Sequence, residues 1–179
     1  MSDKVKLQDK TFKVMIPAND IDKAIENVAR ELDARYQGKT PVFLGVLSGS
    51  FLFLSDLVRK INFDNRLAFV KLSSYEGTQS TGVVKQELGV DFDIEGQDII
   101  IVEDIVETGH SMNHLLAYLR DKKPASIAIC TLFFKPEKFL YDYPIDYKVF
   151  SIGNEFIVGY GLDYNQLGRN LKDIYVIDE

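Results

Sequence analysis

The run Ile99-Ile100-Ile101-Val102 consists of four β-branched residues with no alternation of apolar and polar positions. A strand with one wet face alternates, whereas one buried on both faces does not, and strands of the latter kind belong to parallel sheets covered by helices on either side. Directly after the run comes Glu103-Asp104-Ile105-Val106-Glu107-Thr108-Gly109-His110-Ser111, and Met112, Leu115, Leu116 and Leu119 then recur at helical spacing. The segment therefore predicts a strand, an acidic and hydroxyl-rich turn, and a helix. In open α/β sheets ligands collect where strands end at their carboxyl termini, because a following helix offers unpaired backbone N–H groups and the positive end of its dipole.

The rest of the chain reads as more of the same. Residues 41–47 form a second apolar strand that opens onto Ser48-Gly49-Ser50 and then onto Phe51, Leu52, Leu54, Leu57 and Val58. Further strands are expected at 67–72, 127–133, 148–150 and 174–177. Ile21, Ala24, Ile25, Val28 and Leu32 predict a helix after a cap at Asn19 or Asp20, closed by Gly38. The polar, glycine-containing stretch from Ser74 to Leu88 reads as a mobile loop. Alternating strands and helices imply an α/β architecture around a mainly parallel sheet. At 179 residues and 46% apolar content, without a linker or repeat, one domain is expected.

Charge excludes several partners. The net charge is −6 and no basic run exceeds Lys122-Lys123, so a nucleic-acid partner is not expected. No apolar stretch reaches 18 residues and the start is not signal-like, so neither a membrane nor secretion is expected. The lone Cys130 lies in the apolar run Ser-Ile-Ala-Ile-Cys-Thr-Leu; it reads as an inert core thiol in a cytoplasmic protein.

Each polar position near the turn suggests a chemistry. Thr108, Gly109, His110 and Ser111 can wrap a phosphate monoester with amides and hydroxyls, Gly109 allowing a close backbone approach and His110 offering its amide. Glu103 and Asp104 would point to opposite faces of a regular strand, but at a fraying end both can turn toward one polyol or one hydrated cation. Paired acids after a strand also occur as solvated loop residues and in other magnesium sites. Glu107 stands apart and suits a general base. Neither His110 nor His114 suggests a metal site.

The fourteen residues 99–112 resemble the 5-phosphoribosyl-1-pyrophosphate motif of type I phosphoribosyltransferases: apolar residues, two acids, two apolar residues, an acid, Thr-Gly, and a hydroxyl residue. Four further segments resemble the hypoxanthine (hypoxanthine-guanine) branch of that family. Leu47-Ser48-Gly49-Ser50 stands at the pyrophosphate loop. Ser74-Tyr75 followed by Gln79-Ser80-Thr81-Gly82 stands at the lid, Lys135-Pro136 at the purine-reading lysine, and the run from Phe156 to Tyr164 at the base-stacking and metal segment.

The resemblance implies a central, mainly parallel twisted sheet flanked by helices, with a core at about 38–150 and a small hood from the N-terminal segment and about 151–179. It implies purine salvage: a ring nitrogen of hypoxanthine, and of guanine, attacks the anomeric carbon of phosphoribosyl pyrophosphate with Mg²⁺, giving the nucleoside monophosphate and pyrophosphate. Glu103 and Asp104 would hold the ribose hydroxyls and the magnesium shell, and Glu107 would accept the purine proton. Ser48, Gly49 and Arg169 would bind pyrophosphate. Lys135 would donate to the 6-oxo group, Phe156 would stack, Ile157 would present its backbone, and Asp163 would anchor a second magnesium. Ser74 and Tyr75 would exclude water, and the chain would form a homodimer or homotetramer.

Three departures stand out: Glu107 where relatives usually have Asp, Ser48 where a Lys or Arg is common, and Ser151-Ile152-Gly153 in place of an acidic, proline-containing run. A xanthine-preferring enzyme and a non-catalytic regulator that senses phosphoribosyl pyrophosphate are the alternatives; a sensor need not retain Glu107, Lys135 and Asp163 together.

Overall fold

The computed structural model describes residues 4–74, 84–88 and 93–178. In chain order these form β1 (Lys4–Leu7), β2 (Lys10–Ile16), α1 (Ala18–Tyr36), β3 (Val42–Leu47), α2 (Phe51–Val58), β4 (Arg66–Ser74), β5 (Val84–Leu88), β6 (Asp98–Val106), α3 (His110–Arg120), β7 (Ser126–Phe134), a 3₁₀ turn (Pro136–Lys138), β8 (Tyr147–Ser151), β9 (Ile157–Val158) and β10 (Ile174–Ile177). The main sheet has the order β5-β4-β3-β6-β7-β8. Its last five strands are parallel, and β5 adds antiparallel to the edge at β4.

The unalternated run in β6 is explained by what covers it. Ile100 and Val102 belong to the core beneath α1 and α2, with Ile25, Leu32, Phe53 and Leu57. Ile99 and Ile101 face the other way, onto Met112, Leu115 and Leu119 of α3. Both sides of the strand are buried, so both periodic positions must be apolar. The strand lies between β3 and β7, which puts its carboxyl end near the middle of the sheet edge.

A second, antiparallel sheet, β1-β2-β10-β9, draws on both ends of the chain and encloses Phe12, Val158 and Tyr175. Ile157, Leu162 and Ile174 join the core under α1 and α2, so this sheet is packed onto the first rather than hanging from it. Among the described residues no helix is long and apolar enough to cross a membrane.

Three sequence expectations change. Helix α1 begins at Ala18, ahead of Asn19 and Asp20, because its first N–H groups are served from outside: Ala18 N donates to Asp173 Oδ1 at 2.7 Å. That carboxylate does the work of an N-cap from 155 residues away. Part of the stretch expected as loop, Val84–Leu88, is strand β5. Strand β6 continues past Val102 to Val106 because β7 pairs with it along its whole length, from Asp98↔Ser126 to Val106↔Phe134.

Candidate active site

The turn between β6 and α3 is held from below. Gly109 sits at φ +85°, ψ 0°, a left-handed conformation that residues carrying a Cβ rarely adopt. A Cβ there would also lie 2.5 Å from Tyr143 Oη and 2.7 Å from Phe139 Cε2. The space a side chain would take is thus filled by aromatic rings. Leu140 N donates to Thr108 O at 3.2 Å, Tyr143 Oη donates to Gly109 O at 2.6 Å, and His110 Nδ1 lies 2.6 Å from the Tyr141 hydroxyl. A cavity lined by Glu103, Glu107, Thr108, Gly109, His110 and Ser111 opens at the start of α3, where unpaired N–H groups favour an anion.

Glu103 and Asp104 lie within β6, not at a frayed end, since Glu103 pairs with Thr131 and the ladder runs on to Val106. They line different cavities: Glu103 the one at the turn, Asp104 a second one shared with Lys135, Phe156, Ile157, Leu162 and Asp163. The freedom expected of a loose end is therefore absent, although the two carboxyls remain close enough to hydrogen-bond each other. Burial, and then the neighbouring Asp104 charge, push Glu103 well above the ordinary carboxylate range. Burial also raises Asp104, against the opposing bond from Glu103, the Ile105 N–H that donates at 2.8 Å and the Arg169 charge. Two half-buried neighbouring acids that resist ionising together mark a place that favours added positive charge.

Glu107 is clamped. Lys135 Nζ donates to Oε1 at 2.7 Å and Lys138 Nζ donates to Oε2 at 3.1 Å. Burial pushes the Glu107 carboxyl up, but the bonds and charges of the two lysines prevail and hold it below its ordinary value. The Lys135 side chain is only 4% exposed and spends a second donor on Glu155 O at 2.9 Å. These residues meet because β6 and β7 are parallel neighbours that end level, with Lys135 N donating to Val106 O. Glu107 and Ile105 line both cavities and so form the joint between them.

The far wall of the second cavity comes from the smaller sheet. Phe156 is 46% exposed and is braced from behind by Phe12 and Tyr164, with ring centroids 6.3 and 5.9 Å away. Ile157 is buried in β9. Asp163 accepts from Arg169 Nη2 at 2.5 Å and from Gln166 N at 2.7 Å, and Arg169 Nη1 donates to Gly161 O at 2.7 Å. The acid expected at a metal and the cation expected at pyrophosphate thus hold each other.

The loop after β3 completes the edge. Its Leu47–Ser48 peptide is cis, Ser48 is exposed, and Gly49 is buried. A Cβ on Gly49 would lie 1.5 Å from Asp104 Oδ2, and one on Gly161 would lie 2.1 Å from Gly49 O, so loop, acid and the 157–163 segment are in direct contact. Ser74 ends β4. Tyr75 and the segment 79–82 lie outside the described residues. Glu103, Asp104, Glu107 and 108–111 converge with Lys135, Phe156, Ile157, Asp163 and Arg169, and Gly49 joins them through Asp104.

Residues 17–165 match the family model for the phosphoribosyl transferase domain. The chain belongs to that family. It is 41% identical over 174 residues to a hypoxanthine-guanine phosphoribosyltransferase of Streptococcus pyogenes, covering 97% of both chains. It is 39% identical over 174 residues to a hypoxanthine-guanine-xanthine phosphoribosyltransferase of Tritrichomonas foetus, covering 97% of this chain and 95% of the relative. A crystal structure of a hypoxanthine phosphoribosyltransferase from Staphylococcus aureus superposes with a TM-score of 0.88 at 38% identity, over 93% of this chain and 91% of that one.

Lys138 is a site residue that the sequence does not single out, and Tyr141 and Tyr143, which belong to an aromatic cluster from Phe133 to Tyr147 that reads as packing or a subunit contact, brace the turn instead. Lys138 stands three residues after Lys135 across a single helical turn, a spacing that puts both on one side. Phe139, Tyr141 and Tyr143 alternate, which is the mark of an extended segment with one packed face; what that face packs on is invisible until the chain path is known.

Proposed function

We propose that the chain transfers the phosphoribosyl group of 5-phosphoribosyl-1-pyrophosphate to a ring nitrogen of hypoxanthine and guanine, as a purine-salvage enzyme. The observation that carries this reading is the joint at Ile105 and Glu107 between an anion cavity at the start of α3 and a cavity walled by Lys135 and the open face of Phe156. A sugar 5-phosphate in the first and a flat heterocycle in the second meet beside Glu107.

The bond that forms joins the purine nitrogen to the anomeric carbon; the bond that breaks joins that carbon to the pyrophosphate oxygen. The purine proton passes to Glu107, which its lysines keep ionised. Lys135, buried with a third donor uncommitted to Glu107 or Glu155, reads the 6-oxo group. Phe156 offers its exposed face to the ring, and Arg169 exchanges Asp163 for the leaving anion.

Among the described residues no three His, Cys, Asp or Glu side chains gather as a metal cage. The donor set fits magnesium held by one or two carboxylates together with substrate oxygens: Glu103 and Asp104, adjacent carboxyls that burial holds above their ordinary values and whose ionised forms an added cation would favour, and Asp163. Bound there, Mg²⁺ would neutralise charge gathering on pyrophosphate.

The test mixes the protein with Mg²⁺, phosphoribosyl pyrophosphate and hypoxanthine, guanine or xanthine in separate reactions and follows nucleotide formation. Inosine and guanosine monophosphates are expected; absence of product with every base refutes the reading. The Tritrichomonas relative's name includes xanthine, and faster turnover with that base would favour the xanthine-preferring alternative.

A further inference from the structure

The phosphate turn of this chain contains no lysine or arginine from Glu107 to Ser111, so in the proposed function its affinity rests on amides, hydroxyls and whatever the His110 side chain supplies. His110 is the first residue of α3 and lines the turn cavity. Its ring is not loose. Nδ1 lies 2.6 Å from the Tyr141 hydroxyl, and the two rings meet edge to face at 5.5 Å and 89°. Tyr141 is in turn stacked on Tyr143 at 5.5 Å and 28°, and Tyr143 packs edge-on against Phe139 at 5.1 Å. Three consecutive positions of the turn, Thr108 O, Gly109 O and His110 Nδ1, are therefore gripped by Leu140, Tyr143 and Tyr141 of a single strap.

We infer that His110 is a phosphate-reading residue through its imidazole and that Tyr141 is its positioning residue. With the Tyr141 hydroxyl donating to Nδ1, the ring carries a hydrogen on Nε2 and has one donor left to give. A ring fixed by stacking and one hydrogen bond loses little freedom when it donates to an anion, which is what makes a preorganised donor effective. The ligand class is a sugar 5-phosphate, so the inference rests on the proposed function and adds a side-chain contact and its support.

The experiment titrates ribose 5-phosphate into the protein by calorimetry, and measures KM for phosphoribosyl pyrophosphate and for hypoxanthine, in wild type, His110→Ala, Tyr141→Phe and the double variant. Loss of a hydrogen bond to a charged group should weaken ribose 5-phosphate about tenfold in His110→Ala, and by about threefold in Tyr141→Phe, where the donor remains but is no longer held. The double variant should be no weaker than His110→Ala, since both changes act through one contact. KM for phosphoribosyl pyrophosphate should follow, KM for hypoxanthine should not, and His110→Gln, which returns an N–H at similar reach, should recover part of the affinity. A purely structural strap would give multiplying losses, or weaken both substrates alike; either result, or unchanged ribose 5-phosphate binding, overturns the inference. Ribose 5-phosphate binding needs no turnover. An active wild type with indifferent variants refutes this inference alone, and an inactive wild type refutes the proposed function instead.

Discussion

Replacing Glu107 by Gln removes one charge and almost no volume from the joint between the two cavities. The loss for catalysis is the proton acceptor, whose contribution in such sites is about 10²-fold to 10⁴-fold, so kcat should fall by at least about 10²-fold. KM for phosphoribosyl pyrophosphate should barely move, because the turn amides and Arg169 are untouched. The loss for stability comes from Lys135. With only 4% of its side chain exposed, that lysine would be left without a counter-charge, and complete removal of such a partner costs about 3–5 kcal/mol. Gln keeps an oxygen where Oε1 accepts from Lys135 at 2.7 Å, and Glu107 itself is 39% exposed, so water shares the burden. The expected cost is therefore nearer 1–2 kcal/mol, or about 2–8 °C in Tm for a chain of this size. pH supplies a further check. The folded carboxyl titrates below its ordinary value of 4.5, so the wild-type clamp contributes fully above that value and is lost as pH falls through the lower folded value. Part of the wild-type drop in Tm in that acid range should be missing from Glu107→Gln. Steady-state kinetics and thermal melts decide the matter: a variant with turnover within tenfold of wild type refutes Glu107 as the base.

Ser48 is exposed at the loop that abuts Asp104 and Gly161, so Ser48→Lys should tighten pyrophosphate severalfold by restoring a cation there; calorimetry with no change removes that idea. Gly109→Ala should lower Tm by at least about 4 °C, because a Cβ would meet Tyr143 Oη at 2.5 Å in a backbone conformation that alanine rarely adopts; a melt within a degree of wild type would contradict the packing under the turn. Cys130, fully buried in β7 with its thiol pushed far up by burial, should resist alkylation in the native protein and react once unfolded; labelling at equal rates would show that the strand opens.

The run from Ile99 to Val102 and the turn from Thr108 into α3 were legible because what marks them is local: two buried faces demand an unbroken β-branched run, and a turn before a helix demands small hydroxyl residues. The end of β6 was not, since its last four residues are strand only because β7 runs beside them to Phe134. Glu107 and Lys135 could each be suspected from a motif, yet their contact across 28 positions depends on strand register. The Asp173 cap on α1 and the Tyr143 bond to Gly109 span 155 and 34 positions, and nothing in the intervening sequence records them. The smaller sheet was the hardest part: β1 is short and rich in lysine, and β9 is two residues long, too little for periodicity to register.

Where Gly161 presses on the carbonyl of Gly49, main chain touches main chain with no atoms to spare. A side chain at Gly161 would wedge the loop after β3 away from the wall that carries Phe156 and Asp163, and one at Gly49 would run into the Asp104 carboxyl. Two stretches more than a hundred residues apart are thereby fitted to each other and to the strand between them, each through the absence of a methyl group.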